Sequence, residues 1–78
     1  MEIRYAKAAV KVINGMNRPT KQRIKAGIEK LPQGDIKPFK GSPGTYRLRV
    51  GDWRILFSYP EDGTILIEKI GPRGGVYK

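Results

Sequence analysis

The sequence predicts an α+β fold, a two-helix hairpin packed on a small, mainly antiparallel β-sheet, and three observations carry that prediction. Apolar residues recur at helical spacing in two segments between Tyr5 and Leu31. From Tyr46 onward they alternate with polar ones. Between these regimes lies a stretch holding Pro32, Gly34, Pro38, Gly41, Pro43 and Gly44, which marks a structured connection rather than a regular element.

Met1 to about Arg4 is expected to form a short opening strand. Tyr5, Ala8, Ala9, Val12, Ile13 and Met16 then fall on one helical stripe, with Lys7 and Lys11 away from it. This helix should stop at Asn14-Gly15, where Gly15 can supply a left-handed cap. Asn17 to Pro19 opens a second helix, since Asn suits the N-cap and Pro is tolerated in the first turn. Ile24, Ile28 and Leu31 form its apolar stripe, and Pro32 and Gly34 end it. The short link predicts an antiparallel hairpin of helices with apolar faces turned the same way.

Beyond the connection, Tyr46 to Val50 alternates as a strand. Gly51-Asp52 is a two-residue turn with Gly first, as type II′ prefers, and Trp53 to Tyr59 follows. Pro60-Glu61-Asp62-Gly63 is a second turn, Thr64 to Ile70 a third strand, and Gly71 to Lys78 a tail. With no repeat and no dividing linker, residues 1–78 read as one domain.

Sixteen Lys and Arg against seven Asp and Glu give the 78 residues a formal charge of +9, which predicts a polyanionic partner. The chain has no His and no Cys, excluding zinc fingers, thiol nucleophiles and imidazole bases, so no metal or cofactor is expected. Any chemistry must run on Arg, Lys, Tyr, Ser, Thr and carboxylates. The lack of Cys in so small a chain favours the cytoplasm over an oxidising compartment. No apolar run reaches the ~20 residues of a membrane span, and Met1-Glu2-Ile3-Arg4 does not read as a secretory leader.

The two-residue turn fixes a register. Val50 should lie opposite Trp53, Leu48 opposite Ile55 and Tyr46 opposite Phe57 on the face that receives the helices, with Trp53 in the core. The other face then gathers Arg49 opposite Arg54, with Arg47 opposite Leu56. Like charges directly across a strand pair destabilise it. Two readings are open: an ordinary solvated sheet face, or a cationic cradle for phosphate built from planar, always charged donor forks. All three charged positions being Arg in a chain rich in Lys, with no carboxylate in the hairpin strands, favours the cradle. Arg73 and Tyr77 in the glycine-rich tail are placed to join it, with Tyr77 offering a ring for a base or a phenol for proton transfer. Lys37 and Lys40 read as part of a general basic surface.

The run Phe39 to Phe57, containing Tyr46-Arg47-Leu48-Arg49-Val50-Gly51-Asp52-Trp53-Arg54, together with Ile70-Gly71-Pro72-Arg73 and Val76-Tyr77, resembles the RelE family of toxins within the RelE/ParE superfamily. The resemblance is firm over Lys37 to Tyr77 and rests on pattern in the helices. It implies the RelE-like fold, a cognate antitoxin as partner, and metal-independent cleavage of mRNA in the ribosomal A site. In that reaction the ribose 2′-OH attacks the adjacent phosphate, expels the 5′-oxygen and leaves a 2′,3′-cyclic end. Carried over by position, the catalytic set is Arg47, Arg49, Arg54, Arg73 and Tyr77, and Lys37, Lys40, Arg47 and Arg49 are candidate RNA contacts. The best-known member has Lys where this chain has Arg47 and Arg49, and Arg cannot act as a base. The alternatives are a ParE-like gyrase inhibitor and a non-catalytic ribosome- or RNA-binding module on the same fold.

Overall fold

The computed structural model describes residues 2–72. Strand β1 (Glu2–Tyr5) leads into helices α1 (Lys7–Asn14) and α2 (Arg18–Glu29), followed by strands β2 (Asp35–Pro38), β3 (Thr45–Val50), β4 (Trp53–Ser58) and β5 (Thr64–Pro72). The five strands form one sheet in the order β1-β5-β4-β3-β2. The β1–β5 pair is parallel and the other three pairs are antiparallel.

One face of the sheet carries the core. Ala9 and Ile13 of α1, with Ile24 and Ile28 of α2 and Leu31, pack on Leu48, Ile55, Phe57, Ile65, Ile67 and Ile70. The apolar stripes of both helices therefore meet the same sheet face, as their spacing predicts. Asn17 caps α2, its Oδ1 accepting from the Thr20 amide at 2.9 Å, with Pro19 in the first turn. Gly27, inside α2, permits close packing: a methyl group there would lie 2.7 Å from Cγ2 of Val50.

Four expectations change. Tyr5 ends β1 and does not open α1, although its ring still packs against the core. Gly15 is right-handed, with φ −87°. The last turn of α1 closes through the Gly15 amide on Val12 and the Met16 amide on Ile13, both at 3.1 Å, so no left-handed cap is needed. Residues 35–38, expected to be irregular, form the edge strand β2, where Pro38 is tolerated because an edge leaves one side of the strand unpaired. Finally, β5 runs two residues further, to Pro72, and a bulge places Glu68 as an extra residue where the register shifts between Leu56 and Phe57.

Candidate functional site

The β3–β4 hairpin has the predicted register, from Val50 opposite Trp53 to Thr45 opposite Ser58. Gly51 has φ +58° and no non-glycine residue among the described residues has positive φ, Asp52 included, which selects the type II′ turn over type I′. Alternation then places Arg47, Arg49 and Arg54 on the face away from the helices. Trp53 is half-buried and packs against the core from its margin.

Neighbouring strands extend this arrangement. The register aligns Lys37, Arg47, Leu56 and Lys69 in one row across β2, β3, β4 and β5, and Asp35, Arg49, Arg54 and Gly71 in the next. With strands ~4.8 Å apart, each row spans about 14 Å. Leu56 is buried on this face, outside the main core, with Arg47 and Lys69 beside it in register.

The three hairpin arginines differ. Arg49 is exposed. The Arg47 side chain is 16% exposed, and its Nη2 lies 3.7 Å from Oδ1 of Asp35. Its Nε is buried with no hydrogen-bond partner among the described residues. Arg54 is 6% exposed, and its Nη1 donates to the carbonyls of Gly51 and Trp53, each at 3.3 Å. One correction and one addition follow. The face is not uniformly solvated, because Arg54 is a buried cation held against the hairpin's own backbone. The hairpin strands hold no carboxylate, as the sequence reads, but the neighbouring strand β2 brings Asp35 to Arg47.

A further cation that sequence reasoning missed sits at the hairpin tip. A methyl group on Gly51 would lie 2.7 Å from Nη2 of Arg23, so this α2 guanidinium covers the turn to which Arg54 is anchored. The helical period gave no sign of it, because Arg23 lies off the apolar stripe.

Charge divides the open face. At the β1 edge, Arg4 pairs with Glu2 at 2.6 Å and Glu61 at 3.6 Å, and Ser58 donates to Glu68 at 2.8 Å. The two carboxylates raise the pKa of Arg4 further, Glu2 being the larger influence through its hydrogen bond. The opposite edge is cationic. Lys37, Pro38, Phe39, Lys40, Gly41 and Arg47 line a depression of about 380 Å³ there. Arg73 and Tyr77 lie outside the described residues. No cluster of three or more His, Cys, Asp or Glu able to hold a metal occurs among the described residues, and no described helix is long and apolar enough to cross a membrane.

The family described as ParE toxin of type II toxin-antitoxin system, parDE, matches residues 3–77. Toxin RelE3 of Methanocaldococcus jannaschii is 32% identical over 85 residues, covering 99% of this chain and 96% of that one. RelE1 of the same organism is 44% identical over 45 residues, 56% of this chain and only half of its own length. The structure superposes with a TM-score of 0.75 on a chain of the RelB-RelE antitoxin-toxin complex from Methanococcus jannaschii, at 30% identity over 95% of this chain and 94% of that one. A two-helix layer on a mixed five-stranded sheet, matched nearly end to end in sequence and in space, places this chain in the RelE/ParE family of toxins of type II toxin–antitoxin systems.

Proposed function

We propose that this protein is a ribosome-dependent mRNA endoribonuclease that inhibits translation, acting in the cytoplasm as a single domain held in check by a cognate antitoxin. The observation that carries this reading is the gathering of Arg47, Arg49 and Arg54 on one sheet face, with Arg54 buried and anchored. Phosphoryl transfer builds negative charge on the non-bridging oxygens, and cations fixed in advance stabilise that state more than the ground state. Anchoring one Nη of Arg54 on backbone carbonyls leaves the rest of the fork to meet phosphate in a set orientation.

In this reading the 2′-OH attacks the neighbouring phosphate and the 5′-oxygen leaves with a proton. Arg54 and Arg73 neutralise the phosphorane, Arg47 and Arg49 hold the strand, and Tyr77 aligns the nucleotide or accepts the 2′-proton. Lys37 and Lys40 extend the RNA contact, and the remaining basic surface meets ribosomal RNA. An antitoxin partner is supported by the structural relative, which is itself a toxin bound to its antitoxin.

The matched family's description favours a second reading, a ParE-like gyrase inhibitor. Primer extension on a translated mRNA separates the two, using wild type, Arg73→Ala and Tyr77→Phe. Ribosome-dependent cuts that weaken in both variants support the nuclease. Absence of cuts, with accumulation of cleaved gyrase–DNA complexes, overturns it.

A further inference from the structure

We infer that Glu68 reads a base of the RNA held on the open sheet face, its carboxylate accepting the paired N–H donors of a guanine while the hairpin arginines hold the phosphate. This rests on the RNA-cleaving reading above and adds to it a residue that sets sequence preference.

The bulge in β5 puts this carboxylate in place. Ile67 and Ile70 both turn into the core, so the two residues between them, Glu68 and Lys69, stand on the open face. An inserted residue re-aims its side chain, and here it points Glu68 across to β4. Ser58 Oγ donates to Glu68 Oε2 at 2.8 Å, and both residues are half-buried. That bond orients the carboxylate without filling it, since its two oxygens offer about four acceptor positions. The neighbouring cation on β1, Arg4, is engaged with Glu2 and Glu61 instead. Arg54 stands opposite Gly71, along β5 from Glu68, and Arg47 stands two strands away. With strands ~4.8 Å apart and ~3.4 Å per residue, the Cα of Glu68 lies about 10 Å from that of either arginine. That is the scale of one nucleotide, from its phosphate to the pairing edge of its base.

The chemistry selects the base. Arginine and lysine only donate hydrogen bonds, whereas a carboxylate only accepts. Beside a phosphate strand a carboxylate costs affinity unless it meets donors, so the donor pattern of the base decides the outcome. Guanine carries two adjacent donors, N1–H and N2–H, on its pairing edge, and they match the two carboxylate oxygens. Adenine, cytosine and uracil each set an acceptor beside the donor there, which the second oxygen repels. In single-stranded RNA these edges are open to reading. An arginine from a protein partner offers the same donor pair, but it brings a further positive charge to a face that already holds Arg47, Arg49 and Arg54. A guanine nucleotide brings the donors together with a negative phosphate.

The test is titration of the full chain with 2′-O-methylated RNA tetranucleotides, which cannot be cleaved, made of uridine with one guanine, hypoxanthine or adenine at each position in turn. At one position guanine is expected to bind roughly five- to a hundredfold tighter than adenine, the range of one bidentate base contact. Hypoxanthine, which keeps N1–H and lacks the N2 amine, should fall between. Glu68→Gln should erase the preference while raising affinity for the all-uridine strand, because a negative charge leaves the phosphate-binding face. Ser58→Ala, which frees the carboxylate to turn, should narrow the preference. Asp62→Asn, in the β4–β5 turn, removes equal charge as the comparison and should keep the preference whole. Circular dichroism melts confirm that each variant is folded.

Absence of binding, equal binding of guanine and adenine strands, or an undiminished guanine preference in Glu68→Gln overturns the inference. So does an Arg-containing peptide whose binding depends on Glu68 while the tetranucleotides show no base preference. The two proposals fail separately. A Glu68-dependent guanine preference in a chain that never cuts mRNA on ribosomes keeps the base reader and sinks the nuclease. Cutting on ribosomes with the same distribution of cut sites in wild type and Glu68→Gln does the reverse.

Discussion

Replacing Arg54 by Lys keeps a cation in the sheet but removes the planar fork, and so separates charge from geometry at the candidate site. Arg54 is 6% exposed on the central strand β4, between Arg49 and Gly71, with Nη1 at 3.3 Å from two carbonyls. Bonds that long are at the weak end of N–H···O geometry, so losing them costs up to about 1 kcal/mol each, roughly 1–2 kcal/mol in all. For a chain of this size that lowers Tm by about 5–15 °C, leaving the variant folded at room temperature. The loss in chemistry is larger, because one preorganised donor at a developing oxyanion is worth ~10²–10³ in turnover. The assay is single-turnover cleavage of a defined mRNA on programmed ribosomes below the variant's melting range, with Arg54→Met alongside. Cleavage by Arg54→Lys within a few-fold of wild type would refute the fixed-fork argument. Equal activity of Arg54→Met would refute any use of the cation.

Three further outcomes are expected. Gly27→Ala places a methyl group 2.7 Å from Val50 Cγ2, so about 1 kcal/mol of helix propensity is outweighed by ~1–3 kcal/mol of overpacking, whereas in a Val50→Ala background the same change stabilises; paired chemical melts show whether the sign reverses. Asp35→Asn removes the carboxylate that competes for Arg47, raising affinity for short single-stranded RNA about threefold, from ~0.7 kcal/mol at ~6 Å in water-like dielectric, and unchanged or weaker binding contradicts a phosphate at Arg47. Partial burial, and then the nearby charge of Glu29, raise the pKa of the Tyr5 phenol above its ordinary 10.0. The folded state therefore holds the Tyr5 proton more tightly, a contribution fully present below about pH 10 and lost as pH rises through the raised value. Tyr5→Phe should flatten the fall in Tm between about pH 9 and 11 relative to wild type.

Legibility in the sequence follows how local the determinant is. The β3–β4 register could be read because a two-residue turn with Gly first leaves no freedom: once Gly51 and Asp52 are the loop, every cross-strand partner is set. The bulge in β5 left a mark that plain alternation passes over. Core residues Ile65 and Ile67 are two apart, but the next is Ile70, and a three-residue step in a strand needs one extra residue to keep the apolar side facing in. Strand β2 left no such mark. It has four residues, one of them the apolar Ile36 and the last of them proline, and it pairs because β3 offers a free edge. Gly15 shows the converse, a local signal overridden by context: the chain turns directly into the Asn17-capped α2, so the left-handed residue is not used.

For the three hairpin arginines of the candidate site, the shared face was legible and the depth was not. Alternation says which face a side chain takes, and Arg47, Arg49 and Arg54 do share one; it says nothing of what stands beside that face. Arg49 and Arg54 were expected to repel as neighbours in open solvent, yet one is exposed and the other buried, with its fork turned along the strand to the carbonyls of Gly51 and Trp53. That anchoring lets two like charges occupy opposed positions, because backbone oxygens share the charge of the buried partner. The same contact ties Arg54 to the hairpin tip, where the φ of +58° at Gly51 shapes the turn and Arg23 covers it. Orientation of the buried guanidinium thus depends on turn geometry. Any side chain at residue 51 strains that turn and meets Arg23, so Gly51 and Arg54 act as one unit although Arg54 alone carries charge.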